Sequence, residues 1–269
     1  MDSPAPRPIV DEFTLAKGDP TDVQDGSRRD YLEDAAAFLR VDRGHDPAEP
    51  WSLDALRDRQ IAEIAAISEW INFHSLWLEV AVVGDLRLGG TEHDIEWLGE
   101  PPTWVRRVSK PTDETRCIGY GFTAGNSPCL HLRPACLSDY LMRLVLLSEV
   151  FPSVAYQLEG WIRLPRRIEV VTKQRLIPGR LLSDLAADIG KKEMQAQVDH
   201  WFRKRGFGKL YLTQQIGPSH AWYRPADNLA IFDAKPANLI EWDGHLFPID
   251  VIPLQPEGAL LRAILAAVE

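Results

Sequence analysis

Four side chains at fixed spacing can do chemistry in this sequence. Asp233, Lys235 and Asn238 stand in the order D-x-K-P-x-N, and Asp250 follows twelve residues after the asparagine, all within IFDAKPANLIEWDGHLFPIDVI (Ile231–Ile252). Two carboxylates, an amide and an amine suit transfer of a phosphoryl group from a metal-bound triphosphate. The metal needs hard oxygen ligands, a carboxylate orients the attacking hydroxyl, and a cation neutralises the charge that develops. In this set Asp233 and Lys235 are the catalytic candidates, and Asn238 and Asp250 the metal ligands.

Those residues must be brought together by the elements around them. Leu239 and Ile240, then Asp243-Gly244, then a second apolar run form a strong β-hairpin signal. The hairpin puts Asn238 at its foot and Asp250 at the end of its second strand, so both return to one edge. Asp233 lies on the loop leading in. The same Asp and Asn residues also serve as ordinary turn-formers, but no turn requires Lys-Pro between them.

The block resembles the catalytic loop and metal-binding segment of the protein-kinase-like superfamily, in which H-R-D-x-K-P-x-N is followed by a hairpin and D-F-G. Here Ile231-Phe232 stand for the His-Arg, and Asp250-Val251-Ile252 for D-F-G. The chain resembles the small kinase domain of phage and mobile-element polyvalent proteins, from about Leu88 to Asp250. Gly89, Gly90, Glu92 and His93 match that domain's Gly-Gly-x-Glu-His form. The resemblance implies ATP and Mg²⁺ as cofactors, with Gly89 and Gly90 covering the phosphates, where close backbone approach needs glycine. Lys110, at the end of a third strand, would hold the α and β phosphates. Gln174 and Leu176 would lie at a hinge that meets the adenine edge; a plain strand and loop fit those residues equally. The helix Leu137–Val150 should supply an acid for Lys110, but Glu149 comes too late in it. The partner is then Asp139, another residue, or none.

The implied fold is α+β and two-lobed, with a reduced C-terminal lobe and a helical N-terminal extension. Residues 1–50 form a flexible acidic extension with a short helix, Arg29–Val41. Residues 51–77 form a helical segment on the small lobe, N-capped by Ser52 and ending near Asn72. These helices could brace the small lobe, guard the cleft or dock a protein partner. Residues 78–173 make the N-terminal lobe, with period-two stretches at LEVAVVGDLRL, HDIEWL and WVRRVSK, and strands at Ala155–Leu164 and Ile168–Lys173. Residues 174–269 make the C-terminal lobe. They include a helix over Ser183–Phe202 that Gly190 can break, an extended piece at Tyr211–Ile216 and a last helix at Glu257–Ala267. Only 19 residues follow Asp250, so the resemblance implies no dedicated peptide-binding platform.

Composition narrows the function classes. Net charge is -9, and 12 acidic against 6 basic residues fall in Met1–Pro50, so most of it sits there. A nucleic-acid binder would carry a basic stripe instead. The Trp201–Arg205 cluster reads as the end of an amphipathic helix. The three cysteines lack zinc-ribbon spacing, and Cys129, His131 and Cys136 lack a fourth ligand. No stretch has the length of a membrane span, and MDSPAPRPIVDE is not a secretory signal. The expectation is a cytoplasmic protein without membrane or nucleic-acid partners. Its partners are a nucleotide and an unidentified phosphate acceptor, either a protein hydroxyl or a small molecule. A catalytically weak nucleotide-binding regulator, or a scaffold on the same fold, are the alternatives.

Overall fold

The computed structural model of the chain describes residues 26–41, 52–79, 92–111, 117–124, 130–165, 167–211 and 220–268. Gly89 and Gly90, Cys129, most of LEVAVVGDLRL and of Tyr211–Ile216, and the acidic stretch before Gly26 lie outside them. The first half contains α1 (Gly26–Val41), α2 (Leu53–His74), β1 (Trp77–Leu78), β2 (His93–Leu98), β3 (Trp104–Ser109), β4 (Tyr120–Ala124), β5 (Leu130–Pro134) and α3 (Leu137–Val150). Next come β6 (Tyr156–Leu164), β7 (Arg167–Arg175), β8 (Arg180–Leu181), α4 (Ala186–Ile189), α5 (Lys191–Lys204) and β9 (Gly208–Lys209). The last part holds β10 (Trp222–Arg224), β11 (Leu229–Phe232), β12 (Leu239–Trp242), β13 (His245–Pro248), β14 (Ile252–Leu254) and α6 (Gly258–Leu265). The architecture is mixed α+β with several sheets. Among the described residues no helix is long and apolar enough to cross a membrane.

A five-stranded sheet in the order β1-β6-β7-β3-β2 carries one side of the site. Its alternation gives it two faces. The inner face places Trp161, Ile168 and Val170 in the main core. The outer face gathers Val108, Ile162 and Val171 into a smaller cluster. Two further sheets, β14-β11-β10-β9 and β13-β12-β8, make up the second half.

Helices α1 and α2 are structural braces. Leu32, Ala35, Ala36 and Leu39 of α1 are buried in the same core as Leu141, Leu144 and Val145 of α3. Ser52 caps α2 as expected, its Oγ accepting the Ala55 N–H at 3.1 Å. The helix runs to His74 and stops at Ser75, which is left-handed (φ 56°). Side chains of α2 also cap α3. Gln60 Oε1 accepts the Leu137 N–H at 2.9 Å, and the Glu63 carboxylate accepts Ser138 N–H and Oγ–H at 2.9 and 2.7 Å. The first N–H groups of a helix have no partner within it, and its positive end favours a carboxylate.

The second half follows local signals closely. Asp243 and Gly244 both take left-handed backbone angles (φ 51° and 78°), as the tight turn between β12 and β13 requires. Gly190, also left-handed (φ 81°), separates α4 from α5. Ser183 does not cap a helix: it lies within a 3₁₀ turn, Leu182–Leu185, whose N-cap makes no side-chain bond. Phe202 of α5 stacks on Trp222 with ring centroids 4.7 Å apart, while Arg203 and Lys204 are exposed, the amphipathic helix end expected there.

The core does not stop at residue 173. One apolar cluster continues from α1 and α3 through Phe151, Ile177 and Leu182 to Trp201, Phe202, Leu239 and Phe247. The β4–β5 hairpin crosses the same boundary. Its Phe122 stacks on Phe232 of β11 at 4.1 Å, and it shares a second cluster with Ile264 of α6. At the proposed hinge β8 pairs with β12 so closely that Gly179 is obligatory. A Cβ there would sit 2.2 Å from the Glu241 carbonyl oxygen. The Gly179→Ala chain is expected to lose about 1–3 kcal/mol of stability through overpacking, read as a lowered urea midpoint. An unchanged midpoint would mean that β8 and β12 are not in contact.

Candidate functional site

Strand β11 delivers the chain to Asp233, which turns it with a left-handed backbone (φ 53°) that Asp tolerates better than most residues. A 3₁₀ turn at Pro236–Asn238 then swings Asn238 inward. Its Nδ2 donates to the Asp233 carbonyl, to Asp233 Oδ2 and to the Asp250 carbonyl, each at 2.8 Å. Its own carbonyl accepts the Ile249 N–H at 2.9 Å. Lys235 Nζ meets Asp233 Oδ2 at 3.0 Å. Thus all four residues of the motif come to one edge, with the asparagine as the stitch. Because its Nδ2 is engaged, the atom Asn238 can offer a metal is Oδ1.

Asp250 links this loop to the inner face of the five-stranded sheet. Arg107 Nη1 lies 3.3 Å from Asp250 Oδ1 and donates to the Tyr156 hydroxyl at 2.7 Å. Tyr156 in turn donates to the Ile249 carbonyl at 3.1 Å. Beside them Arg143 of α3 grips the Glu92 carboxylate through both terminal nitrogens, and His93 Nε2 is 2.9 Å from the Tyr140 hydroxyl. Ligand atoms of Glu92, His93 and Asp250 all lie within 4.8 Å of one another. The Asp250 side chain keeps 37% exposure, so its carboxylate can be reached by water.

The electrostatics follow from this packing. Burial raises the Asp250 pKa, but the Arg107 guanidinium, helped by Arg143, outweighs it, so the carboxyl titrates below its usual range. Burial and the Arg107 charge push His93 down to about 3, leaving a neutral imidazole. Burial pushes the Tyr156 phenol up to about 12. Asp250 is therefore an anion and His93 is uncharged at neutral pH. The Asp250 carboxylate and Asn238 Oδ1 are hard oxygen donors of the kind that Mg²⁺ takes. The group of Glu92, His93 and Asp250 fits it less well, because Arg143 already engages both oxygens of Glu92 and His93 would offer nitrogen to a hard cation.

Of the remaining expected residues, those described make other contacts than the ones expected. Lys110 follows β3, and its Nζ meets Asp94 Oδ1 at 2.6 Å. Strand alternation accounts for this: Arg107 and Ser109 face inward, while Arg106 and Lys110 fall on the opposite parity, with Asp94 and Glu96. The cation that β3 turns toward Asp250 is Arg107 and not Lys110. Asp139 meets Arg133 at 2.9 Å and Arg59 at 3.4 Å. Gln174 is buried between β3 and β6, its Oε1 without a partner. The Leu176 N–H, expected at an adenine edge, donates to the Thr103 carbonyl at 3.0 Å.

No family model, curated protein or solved structure matches the chain. Function is read from side-chain geometry.

Several site residues carry no motif. The period-two pattern of WVRRVSK puts Arg107 and Lys110 on opposite faces, but does not say which of those faces is buried. Tyr156 and Arg143 had no local signal. His220 had none either: it is half-buried beside Asp233 and Lys235, and its Nδ1 is buried without a partner. Burial first, then the Lys209 charge, holds its pKa below the ordinary value.

Proposed function

We propose that this chain is an ATP- and Mg²⁺-dependent phosphotransferase of the protein-kinase-like kind, acting on a hydroxyl of a protein or a small molecule. The observation that carries the reading is the Asn238 side chain, which ties Asp233 to Asp250 through three 2.8 Å bonds. Asp233 accepts the proton of the acceptor hydroxyl and orients its oxygen. Its Oδ2 is held by Lys235 and Asn238, so the carboxylate is aimed before the acceptor arrives. Lys235 stands next to it to neutralise charge on the transferring group. Asp250 and Asn238 would hold Mg²⁺, which when bound neutralises the phosphates. A two-lobed kinase-like arrangement and a cytoplasmic setting belong to the same proposal.

A catalytically weak nucleotide-binding regulator is the second reading. The Lys110–Asp94 pair at 2.6 Å and the occupied Leu176 N–H favour it, because both contacts would have to open for the usual nucleotide grip.

Labelled ATP and Mg²⁺ incubated with the wild type beside Asp233→Ala decides between them. Transfer above the Asp233→Ala background supports the phosphotransferase; nucleotide binding without it supports the regulator. Asp250→Asn is expected to abolish the Mg-ATP-dependent rise in melting temperature, since the metal loses its carboxylate. A shift that survives unchanged would remove Asp250 from the metal site.

A further inference from the structure

We infer that Arg107 is a polyphosphate-binding residue, and that it releases Asp250 to a divalent cation when the phosphates of a nucleotide arrive. The inference rests on the phosphotransferase reading for the chemistry of the ligand, but the site itself stands on the state of one buried guanidinium.

Arg107 is only 4% exposed. A guanidinium offers five N–H donors, yet Nη1 makes both of its hydrogen bonds, to Tyr156 at 2.7 Å and to Asp250 at 3.3 Å. The second is long for a charge-assisted bond, which is usually about 2.7–2.9 Å. Nε is buried with no partner. A buried charge with incomplete pairing is costly, so this residue gains from an added anion. Its neighbours differ. Arg143 is engaged by both oxygens of Glu92, and Lys110 is paired with Asp94. The position also fits, because Nη1 lies 3.3 Å from the Asp250 carboxylate, which keeps 37% exposure.

The ligand class follows from the geometry. A planar fork of donors matches the oxygens of a phosphate chain better than a point charge does. The contact with Asp250 makes anion and metal interdependent. While Arg107 holds Asp250, the carboxylate is partly neutralised and a poorer metal ligand. When Arg107 turns to a phosphate oxygen, Asp250 regains its full charge for the cation. Each ligand should therefore tighten the other by the same factor.

The test is isothermal titration of the full chain with inorganic tripolyphosphate in the absence of metal, then with Mn²⁺ in the presence and absence of tripolyphosphate. The wild type should bind tripolyphosphate, and tripolyphosphate should tighten Mn²⁺ binding. Arg107→Met should weaken tripolyphosphate binding about 10- to 100-fold, the loss of charged hydrogen bonds, and remove the coupling. Arg107→Lys, which keeps the charge if the methionine variant fails to fold, should retain part of the affinity and lose most of the coupling. Arg106→Met deletes the same charge from the opposite face, where it pairs with Glu96 and Glu159, and should bind like the wild type. Wild-type binding that neither Arg107 variant weakens, or that Arg106→Met weakens equally, overturns the assignment; so does a wild type that binds no tripolyphosphate. Binding lost in the Arg107 variants, in a chain that shows no phosphoryl transfer, would sustain the anion site and defeat only the phosphotransferase reading.

Discussion

The Asp233→Ala chain is expected to transfer phosphate about 10²–10⁴-fold more slowly than the wild type, the usual contribution of a positioned general base. The size follows from how completely this carboxylate is prepared. Lys235 and Asn238 fix one oxygen at 3.0 and 2.8 Å, and the left-handed backbone at Asp233 (φ 53°) sets where the side chain starts. Alanine removes all of that, and it also fits the left-handed conformation worse than aspartate does. Asp233→Asn separates the two effects. Asparagine tolerates the same backbone, so it should preserve the fold and still lose transfer. Single-turnover rates with labelled ATP provide the measurement. A rate in Asp233→Asn within a few-fold of the wild type would mean that this residue does not handle the acceptor proton.

The second large effect concerns stability. Glu63→Ala should lower the free energy of unfolding by about 3 kcal/mol, toward the lower bound for breaking a buried charged contact. Glu63 itself is 1% exposed, but its partner Arg59 reaches solvent at 27% and has Asp139 as a second partner, which moderates the loss. The variant strands the Ser138 N–H at the start of α3, where helix donors have no alternative, and leaves the Ser138 hydroxyl with Arg59 alone. Glu63→Gln keeps an acceptor and should cost only about 1 kcal/mol. Urea unfolding followed by circular dichroism measures both. Since α3 carries Tyr140 and Arg143 to the site, α2 supports the site from a distance. A loss below about 1 kcal/mol for the alanine variant would show that α2 does not secure α3.

The sequence by itself determined what short-range chemistry dictates. The Asp243-Gly244 turn, the Ser52 cap, the Gly190 break and the alternating HDIEWL and WVRRVS stretches became the turn, cap, break and strands that their residues specify. Each depends on backbone preferences within a few positions. The convergence of Asp233, Lys235, Asn238 and Asp250 was legible for the same reason, since one tight hairpin returns Asp250 to the loop that carries the other three. Pairings between distant parts of the chain were decided by the tertiary structure alone. Arg107 and Asp250 stand 143 residues apart, and nothing local marks Arg107 above Lys110 as the inward cation. Strand parity decides that, and parity depends on which sheet face is buried. The β4–β5 hairpin crosses to α6 and β11, and α2 supplies caps to α3, because buried apolar surface and unpaired helix donors must be satisfied by whatever the fold brings near. The motif names its atoms. Packing supplies the charges they work against.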